Sequence, residues 1–215
     1  MKTFNLHGVT GPHEDCEVVT HVPESPTQAL ILMHGRGSSG DNIMQIARHV
    51  PRSVVVLAPT AHNNTWYPYR FLEEKSKNEP HLSSALSVID ALLSHVKIEY
   101  GIEHKNCTLG GFSQGACLVS EYVLQHPQKY KGICVCSGGF IGSDAEVTMQ
   151  LSGDMMRTPV YLGCDIDDQH IPIERVEATA HACTVQNADV TLRKYENLGH
   201  TIHPEGFEFL ARVLG

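Results

Sequence analysis

Short runs of consecutive apolar residues alternate along this chain with longer stretches in which apolar residues return every three or four positions. The runs 29–33 (Ala-Leu-Ile-Leu-Met) and 54–58 (Val-Val-Val-Leu-Ala) are apolar throughout, the mark of strands buried on both faces. Further strands are predicted at 16–20, Cys107–Phe112, 132–137, 159–163 and Asp189–Tyr195. Between them, Leu82, Ala85, Leu86, Ile89, Leu92, Leu93 and Val96 fall on one face of a helix. Asp41 reads as the cap of a helix carrying Ile43, Ile46, Ala47 and Val50 and stopped by Pro51. Helices are also predicted over Gln114–Gln125, 172–185 and Pro204–Leu214. Strands alternating with helices of this length build βαβ units, so the fold class is α/β with a mostly parallel sheet. No repeat or linker-like stretch interrupts the pattern, and residues 1–215 are expected to form a single domain. Ligands on such sheets gather at the carboxyl ends of the strands. The segments after Met33, Ala58, Phe112, Gly163 and Tyr195 should therefore ring one mouth.

Charge narrows the classes of function. Sixteen Lys and Arg against 24 Asp and Glu give a formal net charge of −8, and no nucleic-acid partner is expected without clustered cations. The longest apolar runs fall far short of the ~20 residues of a membrane span, so none is expected. The opening MKTFNLHGVTG lacks the apolar core of a secretory signal, and the expected location is cytoplasmic. Seven cysteines, an odd number without a C-x-x-C pair, read as reduced core thiols of that compartment. A homodimer stays open as an assembly state.

The segment Gly111-Phe112-Ser113-Gln114-Gly115 is a G-x-S-x-G between a predicted strand and a predicted helix. A serine on so sharp a turn needs small neighbours two positions away on each side. The turn lifts its hydroxyl above the sheet, and the helix that follows offers N–H groups to an anion. Ser113 is thus the candidate nucleophile. A serine nucleophile needs a base and a group that orients the base. Two later strand ends supply candidates, Asp165-Ile-Asp-Asp-Gln-His-Ile-Pro172 and Asn197-Leu-Gly-His-Thr-Ile-His203. Asp168, late in its loop, is favoured over Asp165 and Asp167, which read as solvated or turn-capping. His200, after Gly199, is favoured over His203, which reads as a neighbour of the helix cap before Pro204.

An oxyanion hole requires two N–H groups aimed at the developing alkoxide. Gln114, after the nucleophile, supplies one. The loop Met33-His-Gly-Arg-Gly-Ser-Ser-Gly40 supplies the other, with Arg36 as the candidate donor. His34 reads as a hydrogen-bonding strut of that loop. The Arg36 side chain is open between a substrate carboxylate and solvent. Trp66, Tyr67 and Tyr69, followed by Phe71, occupy a long loop over the mouth and read as a substrate-binding wall. The 14 histidines are scattered, and His200-x-x-His203 lacks the spacing of a helical metal site, so neither metal nor cofactor is expected.

These pieces resemble the phospholipase/carboxylesterase family of α/β-hydrolases, the group that also holds the acyl-protein thioesterases. The resemblance rests on Leu32-Met-His-Gly-Arg-Gly37, Thr65-Trp-Tyr-Pro68, Gly110-Gly-Phe-Ser-Gln-Gly-Ala116, Asp168-Gln-His-Ile-Pro172 and Tyr195-Glu-Asn-Leu-Gly-His200, in family order across most of the chain. It implies a twisted, mostly parallel sheet with helices on both faces and a minimal lidless core. It also implies a Ser113–His200–Asp168 triad and oxyanion N–H groups from Arg36 and Gln114. Arg36 stands where the thioesterase members carry leucine, and Pro68 where they carry an acidic residue. That points toward the small esterases of the family. The expected function is hydrolysis of small-molecule carboxylic esters by a serine carboxylesterase. The alternative is a thioesterase or lysophospholipase, which needs an apolar channel for an acyl chain. A ligand-binding protein without turnover is a third reading, against which the intact Ser, Asp and His count.

Overall fold

In the computed structural model, which describes residues 1–146 and 151–215, the apolar runs pair into one eight-stranded sheet. Its strands are β1 (Lys2–Asn5), β2 (Glu17–His21), β3 (Ala29–Met33), β4 (Val55–Pro59), β5 (Cys107–Phe112), β6 (Gly132–Cys136), β7 (Pro159–Asp165) and β8 (Asp189–Tyr195). They lie in the order β1-β2-β4-β3-β5-β6-β7-β8. β1 and β2 run antiparallel to their neighbours, and the pairings from β4 through β8 are parallel. The helices are α1 (Gly40–Ile43), α2 (His81–Tyr100), α3 (Gln114–Gln125), α4 (Ile173–Val185) and α5 (Pro204–Leu214).

Because side chains alternate across a strand, each apolar run feeds two cores. Ala29, Ile31 and Met33 of β3 face the core shared with α2, α3 and α4, which holds Leu82, Ile89, Val119, Val123 and Val176. Leu30 and Leu32 point the other way, toward Ile43, Met44, Phe209, Leu210 and Leu214. A strand covered on both faces cannot carry polar residues, which is why 29–33 and 54–58 are unbroken apolar runs.

Three local expectations are corrected. β1 is an extra edge strand, mostly exposed, with no apolar alternation to announce it. β7 continues to Asp165, two residues past the expected end at 163. The helix expected from Asp41 is a single α-turn that tightens into a 3-10 turn over Met44–His49. Its cap is Ser39, whose hydroxyl accepts the Asn42 N–H at 3.3 Å, while Asp41 lies in the first turn. Ile43 and Val50 still reach the second core, with Ile46 and Ala47 packed against it.

The long loop from 60 to 80 has no strand, so buried side chains must satisfy its backbone. His13 accepts the His62 N–H on Nδ1 (3.1 Å) and contacts the Trp66 carbonyl through Nε2 (2.8 Å). His34 accepts the Ala61 N–H on Nε2 (3.0 Å) and contacts the Gly35 carbonyl through Nδ1 (2.7 Å). In each ring one nitrogen accepts from an amide, so the other carries the proton and donates to the carbonyl. His34 is thus the strut that its sequence position predicts.

Burial holds both imidazoles below their ordinary pKa, partly offset by the donation to the carbonyl. The unfolded chain therefore binds protons at these sites that the folded chain refuses. The stability contributed by the neutral rings is complete above about pH 6.5, the unfolded value, and is lost as pH falls through the lower folded value. The urea midpoint is expected to drop on acidification from about pH 7.5 to about pH 5.5. A midpoint that stays constant over that range would contradict the assignment.

All seven cysteines are buried and unpaired. No helix among the described residues is long and apolar enough to cross a membrane.

Candidate active site

β5 ends at Phe112 and α3 begins at Gln114, leaving Ser113 as the whole connection. Its backbone sits at φ 54° and ψ −120°, a region that L-residues rarely occupy. The flanking glycines make the turn sterically feasible. A Cβ on Gly111 would lie 2.5 Å from the backbone of Gly115, and one on Gly115 would collide with the backbone of Met33 and His34. The strained turn presents Oγ at the head of α3, where the helix dipole favours negative charge.

Three strand ends converge on this hydroxyl. Ser113 Oγ lies 2.8 Å from His200 Nε2, and His200 Nδ1 lies 2.7 Å from Asp168 Oδ2. The Asp168 side chain is fully covered, whereas His200 keeps 23 % of its side chain exposed. The other Asp168 oxygen accepts the N–H groups of His170 (2.8 Å) and Ile171 (3.1 Å). Burial opposes ionisation of Asp168, but the His200 contact and these two amides outweigh it and hold the carboxyl below its usual range. An ionised Asp168 accepts from Nδ1–H, which leaves Nε2 free to take a proton from Ser113. His203 lies apart from this chain of contacts: it caps α5, accepting the Glu205 N–H at 3.3 Å, and stacks on Tyr195.

Arg36 sits in the loop after β3, beside the Ser113 turn. Among the described residues, neither its N–H nor that of Gln114 donates to an acceptor. Two uncommitted amides beside a serine hydroxyl are what an oxyanion needs.

A family model described as phospholipase/carboxylesterase matches residues 14–214. The chain belongs to the phospholipase/carboxylesterase family. The crystal structure of a phospholipase/carboxylesterase from Dyadobacter fermentans superposes with a TM-score of 0.86 at 30% identity, covering 92% of this chain and 96% of that one. A probable carboxylesterase SOBER1-like of Arabidopsis thaliana is 32% identical over 136 residues, covering 62% of this chain and 50% of that protein. The matched stretch thus spans half the length of that relative. Acyl-protein thioesterase 1 of Saccharomyces cerevisiae is 26% identical over 210 residues, covering 87% of this chain and 91% of that protein. By family this phospholipase/carboxylesterase member is a serine hydrolase with the α/β-hydrolase fold.

In this family member a cleft of about 740 Å³ opens above Ser113. Tyr67, Tyr69 and Phe71 line one side, and Gln169, His170 and Ile171 the other. Trp66 does not line it, which corrects its assignment to the substrate wall. It is fully buried behind the cleft, donating Nε1–H to the His34 carbonyl (2.9 Å) and lying against the rings of His13 and His34. An indole whose N–H is paired inside a packed cluster belongs to the scaffold. Tyr67 is also buried apart from the surface it gives the cleft, while Tyr69 is 57% exposed.

The side chains of both oxyanion candidates grip this wall. Arg36 donates to the carbonyls of Tyr67 (2.9 Å), Pro68 (3.0 Å) and Tyr69 (2.7 Å). Gln114 donates to the Tyr67 carbonyl (2.8 Å) and accepts the Trp66 N–H (2.9 Å). The open question of the Arg36 side chain is thereby answered in part: it is a strap on the wall.

Asp165 caps its turn, as one of its two readings has it, but it is not solvated. It is buried, and its carboxylate accepts the N–H groups of Asp167 (2.8 Å), Leu198 and Gly199 (2.8 Å). Those amides, that of Asp167 foremost, hold its carboxyl below the usual range. Asp165 thus ties the loop that carries His200 to the loop that carries Asp168. Asparagine has a single acceptor oxygen and would turn an NH₂ group toward one set of amides. Asp165→Asn is expected to lower kcat about tenfold to a hundredfold through displacement of His200, with KM changed little. Separate kcat and KM values, taken with the melting temperature, check this; a wild-type kcat in the folded variant would reject it.

Proposed function

We propose that the protein hydrolyses small carboxylic esters through an acyl-enzyme. The observation that carries this reading is the continuous contact chain Ser113–His200–Asp168 at a strained turn. Ser113 Oγ attacks the ester carbonyl carbon while His200 Nε2 takes its proton. Asp168 holds the ring in the productive tautomer and stabilises the imidazolium. The carbonyl oxygen becomes an alkoxide, held by the N–H groups of Arg36 and Gln114. As the tetrahedral centre collapses, the bond to the alcohol oxygen breaks and His200 delivers the proton to it. Water, deprotonated by the same nitrogen, then attacks the acyl-Ser113 ester; the acid leaves and Ser113 regains its proton.

The open, partly polar cleft supports short esters. A thioester substrate is the second reading, favoured by relatives that bear the name acyl-protein thioesterase 1. The residues of the proposed reaction all stand at the strand ends of one sheet, which supports a single domain over 1–215. Seven buried, unpaired thiols support a reducing, cytoplasmic setting.

A fluorophosphonate probe reacts only with an activated serine and is expected to label Ser113. A chain-length series of p-nitrophenyl esters beside acyl-CoA thioesters decides the substrate. Fastest turnover on short esters supports the proposal; preference for long acyl-CoA would shift it to the thioesterase reading. Absence of labelling and of turnover would remove both.

A further inference from the structure

Two arginines, Arg36 and Arg70, line the cleft over Ser113 in a chain of net charge −8. Their surroundings leave both charges uncancelled. Among the described residues the three hydrogen-bond partners of Arg36 are neutral carbonyls, and its guanidinium also lies over the Tyr67 ring; these fix the group without neutralising it. Its Nε–H and one Nη1–H donate to no group among the described residues, and the side chain is exposed. Arg70 projects from an equally fixed backbone. Asn78, fully buried, accepts the Tyr69 N–H at 2.9 Å and donates to the Arg70 carbonyl at 3.3 Å. The Arg70 side chain is exposed and enters no ion pair among the described residues. Among the described residues the one carboxylate lining the cleft, Glu73, is paired with Lys77 at 2.8 Å. Lys77 dominates the lowering of the Glu73 pKa, and Arg70 contributes least to it. The acid in the cleft is thus balanced from outside, and both arginines remain available.

We infer that the cleft selects esters carrying a carboxylate beside the scissile ester group, held by Arg36 and Arg70. This rests on the esterase reading above and names its substrate class. A concave site whose uncompensated charges are of one sign, as here with Glu73 paired to Lys77, focuses the potential and raises the local concentration of the opposite ion, even on a protein of like net charge. Guanidinium groups suit this task, because their planar N–H pairs match a carboxylate. Their fixed backbones reduce the ordering cost of binding. The site is open to water, so the gain is that of a solvent-screened pair.

The test pairs two substrates of similar length, p-nitrophenyl butyrate and the monoanionic p-nitrophenyl hemisuccinate. The readout is the ratio of their kcat/KM values, anionic over neutral, in which losses common to both substrates cancel. Arg70→Gln is expected to lower this ratio about fivefold, and Arg70→Glu to lower it further. Added salt should lower the wild-type ratio and leave that of Arg70→Gln less affected. A ratio that both variants and salt leave unchanged would overturn the inference. Calorimetric titration of the same two esters into Ser113→Ala protein reads the preference without turnover. If the intact protein hydrolyses neither ester, the esterase reading falls. Tighter binding of the hemisuccinate by the Ser113→Ala protein would then still support the charge selection, and equal affinity would overturn it.

Discussion

Replacement of Ser113 by alanine is expected to lower kcat by about four to six orders of magnitude while the fold stays intact. Among the described residues the Oγ has one hydrogen-bond partner, His200 Nε2 at 2.8 Å, so its removal breaks one contact at a half-buried position. The backbone strain at φ 54° is equally accessible to alanine and serine. On the proposed mechanism everything lost is therefore chemical: the attacking atom and the acyl-enzyme. The amides proposed to hold the oxyanion and the cleft remain, and they are expected to leave a residual rate above that of water. An unchanged melting temperature with abolished fluorophosphonate labelling is the expected pair of results. A variant that keeps a tenth of wild-type turnover would show that Ser113 is not the nucleophile.

The second large effect belongs to Asp168. Asp168→Asn is expected to lower kcat about 10⁴-fold, far more than the same change at Asp165 or Asp167. The reason lies in the two faces of the carboxylate. Oδ1 is committed to the N–H groups of His170 and Ile171, so the amide oxygen of asparagine must take that place. Its NH₂ group then faces His200 Nδ1, donor against donor. The ring relieves the clash by moving its proton to Nε2, where it can no longer accept from Ser113. Asp167 is exposed and its carboxylate has no partner among the described residues, so Asp167→Asn should stay near wild type. Steady-state kinetics of the three asparagine variants gives the order. Equal losses at Asp167 and Asp168 would defeat the assignment.

What was legible in the sequence followed rules that act within a few residues. The Ser113 turn needs small residues at 111 and 115, and those stand in the chain as glycines. A strand buried on both faces is an apolar run, and β3 and β4 read as such. The misreadings share the opposite property. Asp165 does cap its own turn at Asp167, but nothing local shows that it is buried and that Leu198 and Gly199, more than 30 residues away, also donate to it. Trp66 and Tyr69 are both aromatics in one loop, and local sequence does not reveal that one faces inward. That depends on His13 and His34, which two other segments bring beneath the loop. The Gln169–Ile171 side of the cleft had a usable signal, its adjacency to Asp168. β1 had none, since an exposed four-residue edge strand needs no apolar pattern.

Arg36 and Gln114 hydrogen-bond residues 66–69 through peptide carbonyls and one amide, and the Arg36 guanidinium also lies over the Tyr67 ring, 6.0 Å from its centroid. At positions 68 and 69 such a grip is blind to which amino acids it clasps. Positions 68 and 69, exposed at the rim, can therefore drift under mutation while the proposed alkoxide pocket keeps its shape. For laboratory evolution this separates two problems that many enzymes entangle. A library at 68 and 69 explores substrate scope on a constant reaction centre, whereas a library at 36 or 114 disturbs both together.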